Sequence, residues 1–526
     1  MSKKTGLTAT KLLLYIFFLV AVILPLIRMF VTMAETDVMK LLSSARFKEV
    51  LGNSLLVSAT ATLLSVGLAL VLSWCLARSN IRFKSMWVLL FTLPMLIPSI
   101  SHGMGLVVLF GTNGVITNFF QLSSNIYGFW GIVIGSVLYT FPVAFLMLVD
   151  VLKYEDSTPY EAASVLGISK RNQYAAITFP YLRKPLIATI FAVFTMIVTD
   201  YGVPLMVGGQ YTTLPVMMYQ DVIGLLDFGK GSVIGLVLLI PAVIAFILDV
   251  VNKDKGNQSY SIKSFEIMKN TGRDVFSYIL SAVTSVFVIL PIAAFILLTF
   301  VKKYPRDMTF SLDNVARALN MNAGQYLLNS IIIALLVAVA GIIIAFAVAY
   351  ITARVPGRSS KLLHLLSITS LAVPGIVLGL SYVLLFNGSI IYGTIAILVL
   401  VNITHFIASP YLMMYNTLSK INGNLEAVGA TLGLSRANII FDVLIPQSKS
   451  SLAEMFSYLF VNSMMTISAV SFLATVSTRP IALMINTFEA TMMLECAAFV
   501  SLLILTINLI MKGGINLYKH RLQKKV

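Results

Sequence analysis

Thr158-Pro159-Tyr160-Glu161-Ala162-Ala163-Ser164-Val165-Leu166-Gly167 is followed by Ile177-Thr178-Phe179-Pro180. Later in the chain, Asn424-Leu425-Glu426-Ala427-Val428-Gly429-Ala430-Thr431-Leu432-Gly433 is followed by Val443-Leu444-Ile445-Pro446. In both stretches the proline lies 13 residues after the last glycine quoted, and the copies are 266 residues apart in a chain of 526. Each copy reads as a short helix, a turn and a second helix. Long hydrophobic stretches lie between and around them.

In the first copy Thr158 suits an N-cap, Pro159 the first helical position and Glu161 the third. Thr-x-x-Glu is the pattern of a capping box, in which both side chains satisfy free backbone N–H groups. Ala162, Ala163, Val165 and Leu166 continue a short helix with small apolar side chains. Gly167 suits the left-handed stop, and a second helix is expected from Lys170 towards Pro180. In the second copy Asn424 aligns with Thr158 as the cap. Glu426 falls at the second helical position, where it favours the helix dipole without closing a capping box. One such stretch alone would read as an amphipathic helix lying on lipid. Two copies with matched cap, glycine and proline argue for a docking element.

The pattern resembles the EAA loop of permease subunits of bacterial ABC importers, roughly Glu-Ala-Ala-x-x-x-Gly, nine residues, then Ile-x-Leu-Pro. The first copy matches with Phe179 in place of Leu. In the second, Glu426 is one residue early, and Ala427 and Val428 take the Glu and first Ala positions. In that family the short helix is a coupling helix that docks in a cleft of a separate ATPase subunit. The resemblance implies an ATPase-coupling role for Glu161, Ala162, Ala163, Gly167, Pro180, Glu426, Ala427, Gly433 and Pro446. It also implies two ATPase subunits on one side of the membrane, an extracytoplasmic solute-binding protein on the other, and a small-molecule substrate.

Composition places the chain in the bilayer. It is 58% hydrophobic and 11% charged, where a soluble domain carries about 25% charged residues. An all-α polytopic membrane protein is expected, with about twelve spans near 12–32, 51–77, 86–110, 129–151, 186–206, 231–251, 275–301, 327–352, 362–386, 390–416, 451–475 and 492–511. The run 12–27 follows a short basic leader without a small-residue cleavage site and reads as a first span. With the N-terminus inside, 27 of the 37 Lys and Arg fall in inner segments. That bias predicts both termini and both loops on the cytosolic side, and the resemblance implies a bacterial inner membrane. The net charge of +16 is thereby explained without nucleic acid. The basic tail, 512–525, reads as a stop at an anionic leaflet.

The halves repeat in parallel. Asn53-Ser54 and Asn329-Ser330, Arg78 and Arg354, Pro98 and Pro374, and Gly103 and Gly379 are all 276 residues apart. The expected domains are 1–251 and 275–526, two six-span repeats about an axis along the membrane normal, joined by a polar segment at 252–274. Pro94, Pro98, Pro142, Pro374 and Pro410 are expected to kink their spans.

For the transport pathway the candidates are Asp200 and Tyr201, in Thr199-Asp200-Tyr201-Gly202-Val203-Pro204, and Thr466 and Ser468 at the corresponding place in the second half. An ionisable residue at membrane depth is costly and faces protein or water. The alternative is that Asp200 is a structural partner of nearby backbone. His102, His364 and His405 share no metal-ligand spacing and read as packing residues. Cys75 and Cys496 lie in apolar runs, which argues against a disulfide framework or metal cluster.

The chain carries no Gly-x-x-x-x-Gly-Lys-Ser/Thr loop, so ATP hydrolysis is expected on a partner. No catalytic residue, metal ligand or cofactor is expected. An ion-coupled carrier with two six-span halves is the alternative, but apart from Asp200, and Glu454 or Glu495 near span ends, the spans are poor in ionisable residues. The segment 78–84 lacks the acidic, glycine-flanked signature of the common carriers. A bilayer-embedded enzyme lacks clustered nucleophiles or ligands. For cargo, the fused architecture and residues 199–209 resemble permeases for 2-aminoethylphosphonate and for ferric iron, with fused thiamine permeases a further relative. The stretch Thr-Asp-Tyr-Gly-Val-Pro favours the phosphonate group.

Overall fold

Ala45–Arg78 and Ala323–Arg354 are the two longest helices, of 34 and 32 residues, and they begin the same arrangement in each half. The computed structural model describes residues 2–123, 125–252, 263, 265, 267–355 and 357–524. Most of the expected linker, 253–262 with 264 and 266, lies outside the described residues.

Among the described residues nine helices are long and apolar enough to cross a membrane, or up to 11 if each of two bent pairs counts as one span. The bent pairs are Arg358–Ala372 with Gly375–Phe386, at 108°, and Ile395–Phe406 with Ala408–Lys420, at 54°. The remaining expected span, 451–475, corresponds to Lys449–Met465, a helix of only 17 residues. The chain is thus an all-α polytopic membrane protein, with fewer uninterrupted spans than the twelve expected. Proline accounts for the breaks in the third and ninth spans. Pro98 and Pro374 stand at the N-cap positions of Ser99–Phe110 and Gly375–Phe386, each just after a single 3-10 turn, Leu93–Leu96 or Thr369–Ala372. A proline cannot donate to the ladder, so the helix stops and restarts. Pro142 is accommodated inside the continuous helix Phe129–Lys153. One feature had no signal in the hydropathy pattern: a two-stranded antiparallel hairpin, Val301–Lys303 with Asp307–Phe310.

The chain divides into two compact units. One comprises Met1–Leu41, Met218–Ala242 and Asp313–Val526; the other Leu42–Met217 and Val243–Leu312. The repeat of the sequence and the packing of the chain therefore divide it at different places. The first span, Leu7–Met33, packs with helices of the second repeat. The seventh, Thr271–Phe300, packs with those of the first.

Small and hydroxylated side chains let helices approach closely, and hydroxyls bond across them where lipid offers no alternative. In the unit built on Ala45–Arg78, Ser65 Oγ and Thr140 Oγ1 are 3.0 Å apart and Ser73 Oγ donates to the Phe145 carbonyl at 3.2 Å. In the other unit the buried Tyr382 hydroxyl donates to the Ala21 carbonyl at 2.8 Å and lies 2.9 Å from Thr404 Oγ1. The repeated Asn-Ser pairs lie within their helices and pin a later loop. Ser54 Oγ accepts the Leu214 N–H at 2.7 Å, and Asn53 donates to the Thr212 carbonyl at 3.3 Å. Ser330 Oγ accepts the Ile481 N–H at 2.8 Å, and Asn329 donates to the Ser477 carbonyl at 2.9 Å.

Candidate functional site

The two loops share a backbone built from the same devices in the same order. Each begins with a side-chain turn just before the helix. Asp156 Oδ1 accepts the Thr158 N–H at 3.0 Å, and Asn422 Oδ1 accepts the Asn424 N–H at 2.9 Å. The short helices Thr158–Val165 and Leu425–Thr431 follow. Both end at a left-handed glycine, Gly167 with φ +69° and Gly433 with φ +74°. The next N–H closes back over the stop: Ile168 to the Ala163 carbonyl at 2.9 Å, and Leu434 to the Gly429 carbonyl at 2.8 Å. This is the hydrogen bond of a Schellman stop, and it needs the conformation that glycine adopts without strain.

A serine then caps the second helix. Ser169 accepts the Asn172 N–H, and Ser435 accepts the Asn438 N–H. After one turn each helix widens into a five-residue π turn, Tyr174–Thr178 and Ile440–Leu444. Pro180 and Pro446 stand two residues beyond. The wider turn sits just before prolines that would otherwise crowd the preceding turn. In the first copy the helix continues without a break, so the span runs Lys170–Val198 rather than starting at 186.

The expected capping box is not formed. Thr158 is already helical, and the N-cap position is Ser157, which makes no side-chain cap. Glu161 turns outward instead. It accepts from Ser157 Oγ at 3.1 Å and pairs with Lys263 Nζ at 2.8 Å. Those two partners, the lysine first, hold its carboxyl below the usual carboxylate range. Asp156 is likewise held low, first by the Thr158 N–H. Asn424 occupies the N-cap position of its helix, but its side chain caps nothing. In the first loop Asp156 already accepts the Thr158 N–H, the bond that Glu161 would make in a capping box.

Each loop is tied to the end of its repeat's long helix by a largely buried arginine. Arg354 meets Glu426 in a two-pronged pair, Nε to Oε1 at 2.8 Å and Nη2 to Oε2 at 2.6 Å. It also donates to the carbonyls of Ile421 at 2.6 Å and Asn422 at 2.7 Å. Arg78 pairs with Glu155, and the Phe265 ring centre lies 3.5 Å from its guanidinium carbon. Tyr160 donates its hydroxyl to the same Glu155 carboxylate. Burial, and next the Glu155 carboxylate, raise the Tyr160 phenol above its ordinary range. Neither arginine pair was read from the sequence. The signal that could have found them is an arginine ending both long helices at matched positions with a glutamate near each loop.

At the tips of the loops large apolar side chains are exposed. Val165 and Leu166 are 88% and 75% exposed, and Leu432, the equivalent of Leu166, is 70% exposed. Ala163 is buried, as is its equivalent Gly429. A Cβ at Gly429 would come within 2.5 Å of Ile439 Cδ1, so this helix is seated closely on its own second helix. Ala162, Ala427 and Glu161 lie on the exposed side.

The pathway candidates fall at the break after the fifth span. Asp200 lies between Phe179–Val198 and the short helix Gly202–Val207, and its Oδ2 accepts the Val203 N–H at 3.0 Å. That bond ties its carboxylate to the first turn of the helix, one residue before the N-cap position held by Tyr201. Tyr201 beside it is fully buried. Thr466 ends Lys449–Met465 and donates to the Asn462 carbonyl at 2.7 Å. Ser468 approaches Gly375, where a Cβ would meet Ser468 Oγ at 2.4 Å and His405 Nε2 at 3.0 Å. The structure thus brings Ser468 and His405 together around one glycine. His364 contacts the Tyr411 hydroxyl and His102 packs beside Tyr139.

Two repeats of one polytopic transport unit, each carrying the same loop, define a membrane permease fused from two domains. Residues 66–253 and 341–524 match the family described as binding-protein-dependent transport system inner membrane component, and the chain belongs to that family. It is similar to the ferric transport system permease protein FbpB of Actinobacillus pleuropneumoniae, at 27% identity over 494 residues, 89% of this chain and 71% of that protein. The putative ferric transport system permease protein FbpB 1 of Haemophilus influenzae is similar at 27% over 89% of this chain and 78% of its own length. The thiamine transport system permease protein ThiP of Brucella abortus matches at 27% over 45% of this chain and 46% of that protein. The chain is a multi-pass inner-membrane permease of an ABC importer.

Proposed function

We propose that this permease moves ferric iron inward, driven by two separate ATPase subunits that dock on the loops at 158–180 and 424–446 on the cytosolic side. A solute-binding protein delivers cargo on the opposite face. The observation that carries the coupling role is the pair of loops: turn, helix, left-handed glycine, serine cap, π turn and proline recur at a constant offset, with exposed apolar side chains at the tip. A helix held at both ends is a rigid knob. The Arg78–Glu155 and Arg354–Glu426 pairs make it move with its long helix. Closure of the ATPases would draw on both knobs and pass the displacement to Ala45–Arg78 and Ala323–Arg354. Asp200, Tyr201, Thr466 and Ser468 remain the pathway candidates, Asp200 by shaping the turn.

The two ferric permeases that match along most of the chain favour iron over the phosphonate suggested by residues 199–209. The test is uptake of radiolabelled ferric iron by cells that carry or lack the permease. Iron uptake that requires the permease and its ATPase, and that excess 2-aminoethylphosphonate leaves unchanged, is the expected result. Uptake of labelled phosphonate instead would replace the cargo. Uptake that collapses with an uncoupler but ignores loss of the ATPase would replace the mechanism by an ion-coupled one.

A further inference from the structure

The same groove occurs in both repeats and is furnished differently. In the first it runs between Leu70, Val71 and Trp74 of the long helix and Tyr174 at the π turn, with a volume of about 440 Å³. In the second it runs between Phe346, Ala347 and Tyr350, the equivalents of those three, and Ile440 and Phe441, with a volume of about 740 Å³. The cation of the first groove is engaged by its own chain. Phe265 covers Arg78, and Glu155 cancels that charge. The second ends at Arg436, an exposed cation on its rim. Its wall also holds a polar atom with nothing to bond. Tyr350 is only 5% exposed, and its hydroxyl has no hydrogen-bond partner among the described residues. A buried hydroxyl left unsatisfied is costly, and one that lines an open apolar groove marks where a ligand's polar atom belongs.

We propose that the second groove binds one anionic glycerophospholipid of the surrounding bilayer. Its acyl chain lies along Ile343, Phe346, Ala347 and Phe441. Its phosphate sits at Arg436, and an ester or phosphate oxygen accepts the Tyr350 hydroxyl. The occupant is a lipid because the groove is apolar along its length, belongs to a membrane-embedded helix and carries a single cation at one end. The site lies against the π turn that joins the second loop to its span, so a bound lipid wedges that joint. The inference needs only that these helices lie in a bilayer, and it stands apart from the cargo and the ATPase.

The experiment is a titration of the delipidated full-length permease in detergent with dioleoyl phosphatidylglycerol or dioleoyl phosphatidylcholine, read by native mass spectrometry. The wild type is expected to retain one phosphatidylglycerol with about a fivefold preference over phosphatidylcholine, the effect of one basic side chain at an anionic headgroup. Arg436→Ala is expected to abolish the preference, and Ala347→Phe to abolish retention of both lipids. Tyr350→Phe, which removes one oxygen and leaves the packing intact, is expected to weaken both severalfold. Equal retention by all four proteins, equal binding of the two lipids by the wild type, detergent as the only adduct, or paired protein copies in place of lipid would each overturn the assignment.

Discussion

The two loops solve one electrostatic problem in two ways. Both long helices end in an arginine that is largely withdrawn from solvent, Arg78 and Arg354, and a buried charge must be paired. In the second loop the carboxylate comes from inside the short helix, at Glu426. In the first it comes from Glu155, just before the helix, and Tyr160 steadies it. Counted at the 266-residue offset, Tyr160 is the equivalent of Glu426, and Ala427 is the equivalent of Glu161. Glu426 is therefore not an EAA glutamate displaced by one position. It is an anchor, and the second loop has an alanine where the first carries its outward glutamate. What the two copies share is the requirement for a carboxylate at the arginine, together with the turn skeleton. The residue that meets the requirement is free to move.

Moving the carboxylate is the strongest way to break that comparison. Glu155→Ile places in the first loop the residue that the second has there, and strands Arg78. The expected loss of stability is about 3–5 kcal/mol, as for a buried pair with one partner removed, read by thermal unfolding in detergent. Adding Tyr160→Glu should restore most of it, because that position is where Glu426 sits. Failure of the double variant to recover would show that the two loops are not interchangeable frames. Next in size is Gly429→Ala, whose new methyl would press on Ile439 Cδ1 and is expected to cost about 1–3 kcal/mol. Ile439→Val should relieve part of that cost, whereas Ala163→Gly in the first loop should cost less than about 1 kcal/mol. Gly167→Ala and Gly433→Ala come third. Each forces a Cβ into the left-handed region at about 1–2 kcal/mol with no neighbour in the way. Transport should fall in both while membrane insertion stays normal, as measured by uptake per unit of permease.

Much of this was written in the local sequence. The offset of 266, the two glycine stops and the prolines after them depend on neighbours a few residues away. So do the helix breaks at Pro98 and Pro374. What escaped sequence reading is of two kinds. Asp156 takes the Thr158 N–H that Glu161 would accept in a capping box, a choice between two legitimate local signals. The arginine anchors join residues 77 and 72 positions apart, and periodicity carries nothing about such pairs. The same holds for the packing of the first span with the second repeat. Hydropathy shows that a helix seeks the bilayer and leaves open which bundle receives it. The His405–Ser468 approach at Gly375 was invisible for the same reason, since three separate segments meet there.

The smallest expected effect separates the loops by pH. Asp156 and Glu161 both have carboxyls held below their ordinary range, Asp156 chiefly by the Thr158 N–H and Glu161 chiefly by Lys263. A depressed folded-state value means that each contributes stability above its unfolded value, near pH 4, and loses it as pH falls through the folded value. Between pH 6 and pH 8, on the order of physiological conditions, neither group changes charge, so transport should be flat across that range as far as they are concerned. Below about pH 4 the first loop should loosen while the second holds its turn, because Asn422 makes the same bond without a charge to lose. Amide hydrogen exchange at Thr158 and Asn424, followed through that acid range, reads the two turns side by side. Exchange that rises at both together would mean that the loops open as parts of their units and not through their own side chains. A rise at Thr158 alone, removed by Asp156→Asn, is what the carboxylate turn requires.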